Sequence, residues 1–329
     1  MIRLFANANY DFIGFRRIAY VVTAIIMIPG LLLTAVRGLN YSIEFTGGTL
    51  VQVKALSPAL TVAAMRAALD QGNMHGAEIA TYGAAAQHEY VVRTRLTGEA
   101  EVSERAAQAT AQAVGATLTR TFGAGSFTIM RFEAVGPKVG GELRQKALIA
   151  ILLSFVATMV YLAFRFEWRF GVAAVLATAH DILTTLAFIQ YTRLEVSLVV
   201  VSAILTVVGY SLNDTIIIFD RTRENLHKYK RDDLAGILNR SINETLPRSI
   251  LTHSTTMATT IALLFFATEV IRPFAWVMTF GIFTGTFSSI YIAAPVLMWI
   301  ERRWPGKDAR GVKSHVVQAG HGEPLVPTP

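Results

Sequence analysis

Long apolar stretches alternate with short polar connections along most of the chain. Six stretches are long enough to cross the roughly 30 Å hydrocarbon layer of a bilayer as helices. We place them at 18–36, 147–164, 170–191, 196–219, 249–267 and 274–300. The pattern therefore predicts a polytopic α-helical membrane protein with six transmembrane helices.

One large polar segment, residues 37–146, separates the first two predicted spans. Residues 42–45 and 50–53 alternate between polar and apolar, which indicates strand structure interrupted by Thr46-Gly47-Gly48. Further patterns predict helices near 61–72 and 99–114 and strands near 77–82, 89–95 and 127–134. The order βαββαβ predicts a ferredoxin-like α+β domain, a fold that fixes no function. Gly140-Gly141 at its end is either a hinge or the start of a helix.

Basic residues are distributed unevenly between the two sides of the predicted bundle. With both termini in the cytoplasm, the inner short segments carry 17 Lys or Arg, and the outer short loops carry only Arg193 and Arg272. Cytoplasmic loops are normally the richer in Lys and Arg. We therefore expect both termini to be cytoplasmic and the domain of residues 37–146 to be periplasmic.

Three cytoplasmic segments flank the spans. Residues 1–17 are either an interfacial segment or a partly ordered tail, and the first span is predicted to be a retained anchor. In the loop 220–248, Asp232 and Asp233 can start an amphipathic helix that contacts the spans, and Pro247 suits the first position of the next helix. A capping box at Ser241 and Glu244 is an alternative start. Residues 301–329 are predicted to be a disordered tail.

Composition excludes several classes of protein. The chain is 53% hydrophobic and 16% charged, with a mean hydropathy of +0.44, which is not typical of a soluble enzyme. Residues 37–146 carry 11 basic and 9 acidic residues, so no nucleic-acid surface is indicated. The chain has no cysteine and no phosphate-binding, zinc-protease or serine-hydrolase motif. We predict that it is not an enzyme and uses no cofactor or metal.

Asp214 lies in an otherwise apolar span, where an unpaired carboxylate costs about 2.5 to 3.5 kcal/mol or more at the bilayer centre. Arg248 enters the next span at a similar depth, so we predict an ion pair between these two residues. Such a pair can act as a proton switch if a movement separates it, or as a static clamp between helices. The spacing alone leaves both roles open.

Other polar residues in the spans are candidates to support this pair. His180 and Asp181 lie near the middle of the third span, where either helix packing or a share in a proton or water path would explain them. The remaining candidates lie on the helices that carry Asp214 and Arg248: Ser211, Asn213, Thr252, His253 and Thr256.

Four motifs in order resemble the SecF family, the smaller subunits of bacterial SecD–SecF complexes in the RND superfamily. They are YSIEFTGGTLVQV (41–53), VGPKVGGEL (135–143), VVGYSLNDTIIIFDRTREN (207–225) and SINETLPRSILTHSTT (241–256). Relatives often read GIDFTGG at the first motif, where this chain has Glu44 in place of Asp. The swap keeps the charge.

The resemblance implies a subunit of the bacterial inner membrane that uses the proton-motive force to promote translocation of preproteins. Its implied partners are SecD as an obligate second half, the SecYEG channel, YajC, unfolded preprotein clients and membrane lipids. In that family the Asp of the SLND motif and the Arg of the LPRS motif are linked to proton conduction, and they fall on Asp214 and Arg248. Alternatives are a passive scaffold, or half of a proton-driven exporter of small molecules or lipids.

Overall fold

The order of helices and strands along the chain follows the predicted pattern in a computed structural model. The structure describes residues 5, 8–74, 77–82, 88–94, 104–165, 167–230, 232–268 and 270–306. The helices are α1 (Arg16–Arg37), α2 (Ile43–Thr46), α3 (Val62–Gln71), α4 (Glu104–Phe122), α5 (Pro137–Arg165), α6 (Trp168–Thr192), α7 (Leu198–Lys228), α8 (Leu234–Phe266), α9 (Arg272–Ser288) and α10 (Ala294–Arg303). A π-helical turn, Ser289–Ala293, joins α9 to α10. The strands are β1 (Gly48–Ala55), β2 (Glu78–Tyr82), β3 (Glu89–Thr94) and β4 (Phe127–Val135).

Six helical spans in the described part of the chain are long and apolar enough to cross a membrane. They are α1, α5, α6, α7, α8 and the continuous pair α9–α10, and each overlaps one predicted span. The six-helix fold class is therefore confirmed. Helices α6, α7 and α9–α10 form the centre of the bundle, whereas α1, α5 and α8 expose most of their side chains. Those exposed apolar faces suit lipid or a second membrane protein.

Helix α8 is longer than the predicted fifth span. It begins at Leu234, where the Asp233 side chain accepts a hydrogen bond from the Gly236 backbone N–H (3.2 Å). The helix then continues through Pro247 to Phe266. The expectation that Pro247 or a capping box starts a separate helix is therefore wrong. Proline removes one backbone hydrogen bond but does not break a helix whose neighbours hold it in place.

Packing explains why the first part of α8 stays joined to the bundle. The apolar stripe of this amphipathic part is buried in one cluster with residues of α6, α7 and α10, and consists of Leu234, Ile237, Leu238 and Ile242. Residues 8–15 also lie against it, and the Asn243 side chain exchanges hydrogen bonds of 2.9 Å with the Tyr10 backbone N–H and carbonyl. The predicted interfacial segment is thus bound to α8 in its described part. Residues 1–4, 6, 7 and 307–329 lie outside the described residues. The tail predicted for 301–329 is wrong at its beginning, because residues 301–303 complete α10.

The segment between α1 and α5 forms an antiparallel sheet of strand order β2-β3-β1-β4. Helices α3 and α4 pack on the sheet around a core that includes Val53, Met65, Leu69 and Leu118. Element order and strand order are consistent with the predicted ferredoxin-like domain. We call this segment between α1 and α5 the outer domain, because it is the largest part of the chain outside the helical bundle.

The start of the outer domain differs from the sequence expectation. Residues 43–46 form the short helix α2, so the predicted strand there is wrong. Gly47 and Gly48 follow with φ of +73° and +138°, values that favour glycine and end the helical turn. Gly140 lies within α5, which makes it part of a helix start and not a hinge. A Cβ added to it would lie 2.9 Å from the Gly47 backbone nitrogen, so glycine allows α5 to touch this turn.

The outer domain is tied to the loop between α6 and α7. The Ser42 backbone N–H donates to the Val196 carbonyl (2.9 Å), and the Arg93 side chain pairs with Glu195. Burial raises the pKa of the Glu195 carboxyl above its ordinary value. Arg93 opposes this shift, and the carboxylates of Glu44 and Glu78 add to it. The sheet and the beginning of α7 therefore form one connected structure.

A buried ion pair joins the beginning of α6 to the end of α10. Arg169 Nε donates to Glu301 Oε1 at 2.7 Å, and Arg169 also pairs with Glu167. Glu301 accepts a further hydrogen bond from the Gly306 backbone N–H (2.9 Å). Because both charges are buried, losing Arg169 would leave Glu301 without a basic partner among the described residues, and losing Glu301 would leave Arg169 with Glu167 alone.

Candidate functional site

Besides Glu301, which is paired with Arg169, the described membrane helices bury two carboxylates, Asp181 in α6 and Asp214 in α7. Their exposed fractions are 0% and 3%. The two carboxylates accept different numbers of hydrogen bonds, and this difference indicates a different role for each.

Asp181 is fully bonded at the junction of three helices. Ser211 Oγ of α7 and Ser288 Oγ of α9 both donate to its Oδ2, at 2.5 and 2.8 Å. The Nδ1 atom of His180 lies 3.2 Å from its Oδ1. The His180 ring in turn stacks on Phe287 of α9, with centroids 6.4 Å apart. This arrangement suits a carboxylate that locks α6, α7 and α9 together.

Asp214 has fewer partners. Ser249 Oγ of α8 donates to its Oδ1, while its Oδ2 is buried and accepts no hydrogen bond within the described part of the chain. A buried carboxylate oxygen without a donor carries a desolvation cost that a bound proton or a moving donor would relieve. Asp214 is therefore the buried acid with capacity for another interaction.

Arg248 does not form the predicted ion pair with Asp214. Its side chain is exposed, and the ion pairs among the described residues do not join these two groups. The neighbouring residue Ser249 contacts the carboxylate because consecutive helical positions point about 100° apart. Arg248 nevertheless lies close enough to Asp214 to interact with it electrostatically, as does His253.

His253 lies one turn beyond Ser249 on the buried side of α8. Its Nδ1 is buried without a hydrogen-bond partner in the described structure, and its ring meets the Tyr210 ring edge-on at 5.3 Å. The single proton of the Tyr210 hydroxyl is shared between two acceptors, the Thr252 carbonyl (3.1 Å) and Thr256 Oγ1 (3.0 Å). These contacts place a titratable ring and several hydroxyls beside Asp214, between α7 and α8.

The structure distributes the predicted supporting residues over two sites. Ser211 and His180 belong with Asp181, whereas Thr252, His253 and Thr256 lie along the α7–α8 contact near Asp214. Asn213 is exposed and points about 100° away from Asp214 around α7, so the expectation that it supports Asp214 is wrong in this structure. A helical residue directly next to Asp214 points away from it.

Several hydroxyl residues of the site were not predicted. Ser249 and Ser288 donate to the two acids, and Thr215 Oγ1 lies 2.7 Å from Ser289 Oγ at the π-helical turn. The sequence could have indicated Ser288 and Ser289 as site residues, because paired hydroxyls in the middle of an apolar span favour contacts between helices. Ser249 carried a weaker signal, since it directly follows the more conspicuous Arg248.

Glycine brings the central helices close together at this level. A Cβ added to Gly285 of α9 would lie 2.9 Å from the Cβ of Ser211. Close approach of α9 to α7 is what lets the short Ser288 side chain reach Asp181. Among the described residues, no group of three His, Asp or Glu is arranged to hold a metal ion.

Two family models match the chain. The model described as "Protein export membrane protein SecD/SecF, C-terminal" matches residues 113–303, and the "SecD/SecF GG Motif" model matches residues 33–55. The first begins within α4 and covers β4 and α5 to α10, which carry Asp181 and Asp214. The second covers the turn of Gly47 and Gly48.

Relatives of the whole chain carry the same description. The protein translocase subunit SecF of Gemmatimonas aurantiaca is 54% identical over 95% of this chain and 95% of its own. The subunit of the same name from Desulfurispirillum indicum is 39% identical over 89% of this chain and 92% of its own.

Solved structures of SecDF share the fold. The crystal structure of SecDF from Thermus thermophilus, described as a translocon-associated membrane protein, is 34% identical, with a TM-score of 0.79 over 91% of this chain. SecDF in the "Super-membrane-facing form" is 35% identical, with a TM-score of 0.63 over 90% of this chain. This chain spans 39% of each SecDF chain. From its motifs, its six-span fold and these relatives, the chain belongs to the SecD/SecF family of protein translocase subunits, as a SecF.

Proposed function

We propose that this subunit uses the proton-motive force to promote preprotein translocation across the bacterial inner membrane, together with SecD and the SecYEG channel. YajC is proposed as a further partner. The observation that carries the proposal is the buried, incompletely bonded carboxylate of Asp214 in a chain of this family. It is the residue at which proton binding would change the charge and contacts of the bundle.

A proton that crosses the membrane by way of Asp214 would release enough free energy to drive a conformational change. One elementary charge that crosses the full membrane potential releases about 2.3 kcal/mol per 100 mV. The free Oδ2 atom offers a place for the proton, while Ser249 holds Oδ1. Neutralising the acid removes the cost of a buried charge and weakens its interaction with nearby Arg248 and His253.

The proposed switch exchanges Ser249 for Arg248 as the partner of Asp214. These neighbours on α8 point about 100° apart, so a rotation or shift of α8 against α7 can replace one with the other. In the structure Ser249 is in place and Arg248 is exposed. We assign this state to the protonated acid, and the paired state to the ionised acid.

Helix α7 can transmit such a movement to the outer domain. Asp214 lies in the second half of α7, and the first backbone N–H of the helix, that of Leu198, donates to Glu44 Oε2 at 2.5 Å. Glu44 belongs to α2, which leads directly into β1. One helix therefore carries the proposed proton site near its middle and a contact to the outer domain at its first residue.

SecD is proposed to cover an exposed stripe of small residues on α7. The stripe consists of Ser202, Thr206, Gly209 and Asn213. The hydroxyls of Ser202 and Thr206 bond carbonyls of their own helix, so a second helix can pack on them without losing hydrogen bonds. Gly209→Leu should leave the isolated chain folded and reduce its co-purification with SecD, because a Cβ built at Gly209 has no contact within 4 Å among the described residues beyond its own stretch of helix. Unchanged co-purification would refute this location of the partner.

Export in inner-membrane vesicles tests the proposal as a whole. Vesicles with Asp214→Asn should lose the stimulation of preprotein export by the proton-motive force, while SecD still co-purifies. The matched control is Asp220→Asn, which removes an exposed carboxylate of the same helix that pairs with Arg165. A passive scaffold predicts full stimulation in both variants. Stimulation that follows a sodium gradient instead of the proton gradient would also overturn proton coupling.

A further inference from the structure

A cleft of about 710 Å³ lies where the outer domain meets the ends of α1, α5 and α6. Its charged lining is mostly basic, with Arg37, Arg93, Arg144 and Arg193 against the single acid Glu78. The cleft is separate from the buried acids and from the small-residue stripe of α7. None of the proposed translocation steps uses it.

Three of the four arginines lack an acidic partner among the described residues. Arg93 is paired with Glu195, but the ion pairs of the described chain include neither Arg37 nor Arg144 nor Arg193. Arg193 Nη1 donates only to neutral oxygens, the Gly38 carbonyl (3.3 Å) and the Gln190 side chain (3.2 Å). The cleft therefore holds positive charge that an anion can neutralise.

The three arginines without an acidic partner in the described part of the chain come from three different spans. Arg37 is in the last turn of α1, Arg193 is the C-terminal cap of α6, and Arg144 is near the beginning of α5. Arg144 also lies over the Tyr41 ring, with its guanidinium carbon 4.9 Å from the centroid. Convergence of several guanidinium groups is the arrangement that binds a phosphate through charge-assisted hydrogen bonds.

The depth of the cleft indicates which phosphate it takes. The apolar parts of α1, α5 and α6 end or begin at these arginines, so the guanidinium groups lie at the level of lipid headgroups. Directly below, Val36 of α1 and Leu148 and Leu152 of α5 are exposed apolar side chains. A charged head and two apolar tails fit this surface, whereas a free phosphate ion would use only the upper part.

We propose that this cleft binds the headgroup of an anionic phospholipid, such as phosphatidylglycerol or cardiolipin, in the leaflet on the side of the outer domain. The phosphate bonds Arg37, Arg144 and Arg193, and the acyl chains lie along α1 and α5. The bound lipid bridges three spans at the base of the outer domain. This proposal does not depend on proton coupling.

Native mass spectrometry of the purified full chain tests the site. The delipidated protein is incubated with phosphatidylglycerol, cardiolipin or phosphatidylethanolamine, and bound lipids are counted. The triple variant Arg37→Gln, Arg144→Gln and Arg193→Gln should bind the anionic lipids at least about tenfold more weakly. This is the loss expected from one hydrogen bond to a charged group alone. The three single variants should each lose part of this affinity, which keeps the test valid if the triple variant does not fold.

A second triple variant is the matched control for net charge. Lys54→Gln, Arg120→Gln and Lys230→Gln remove three positive charges at positions that do not line the cleft, and this variant should bind lipid as the wild type does. Equal lipid binding by both triple variants would overturn the proposal. So would equal binding of phosphatidylethanolamine, or displacement of the lipid by millimolar inorganic phosphate. Loss of SecD from the cleft variant with lipid binding intact would assign the arginines to a partner's acid and also refute the lipid site.

Discussion

Replacing Asp181 with alanine should destabilise the helical bundle. The change removes the acceptor of two serine hydroxyls, at 2.5 and 2.8 Å, and the group 3.2 Å from His180 Nδ1. Hydrogen bonds between side chains of membrane helices contribute about 0.6 kcal/mol on average and about 1.7 kcal/mol at most. Three contacts therefore predict a loss of about 2 to 5 kcal/mol in the free energy of unfolding.

The isosteric variant Asp181→Asn should lose far less stability. Its amide oxygen can accept from Ser211 and Ser288, and its amide NH₂ can donate to His180 Nδ1 when that nitrogen carries no proton. We expect a change of about 0.5 kcal/mol or less. Proton-driven export should also survive Asp181→Asn, because a carboxylate that only locks helices needs no charge change.

Chemical unfolding of the purified chain in detergent, followed by circular dichroism, measures these free energies. The control is Thr185→Val, which removes a buried hydroxyl of α6 that has no partner in the described structure and should be neutral or slightly stabilising. A loss for Asp181→Ala no larger than that of the control would refute the locking role. Failure of proton-driven export in a stable Asp181→Asn protein would place this acid on the proton path instead.

Three further changes test the packing and the charges around the site. Glu301→Ala should lower the free energy of unfolding by about 3 kcal/mol, because it leaves the buried Arg169 with only one acidic partner. Gly285→Ala should lower it by about 1 to 3 kcal/mol through overpacking against Ser211. The pKa of Glu195 is raised in the folded state. Its contribution to stability is therefore fully present below the ordinary Glu pKa of about 4.3 and is lost as the pH rises through the higher folded pKa. Melting temperatures of Glu195→Gln should lack this decline.

Each of these three changes has an outcome that contradicts it. Gly141→Ala, at a helical glycine with open space around it, should not destabilise the protein, so an equal loss at Gly141 and Gly285 would disprove the packing explanation. A stable Glu301→Ala protein would mean that the ion pair contributes nothing net. A melting profile of Glu195→Gln that keeps the wild-type slope would assign the pH dependence to other carboxyls.

The sequence predicts the spans and the outer sheet because their signals are local and repeated. A run of apolar residues must become a helix in the bilayer, and alternation in the strands shows which side chains reach the core. The continuation of α8 through Pro247 could not be read locally. It depends on the buried stripe from Leu234 to Ile242, whose partners lie on other helices.

The sequence predicts which residues form the site better than it predicts their contacts. Asp214 and Asp181 stand out because acids are costly in a span, but which residue meets them depends on how the helices are rotated against one another. That rotation placed Ser249 against Asp214, left Arg248 exposed and gave Ser211 to Asp181. The helical turn at Ile43–Thr46 was missed because its two buried side chains pack into different clusters, which gives the alternation of a strand.

Proton flux into liposomes that contain the chain together with SecD and the channel tests the role of Asp214 most directly. Under an imposed pH gradient and membrane potential, and during export of a preprotein, the wild type and Asp220→Asn should both carry protons. Asp214→Asn should carry none above the level of empty liposomes, although the complex is assembled. Equal flux through Asp214→Asn and the wild type would show that this carboxyl group does not exchange its proton and that the subunit is not driven through it.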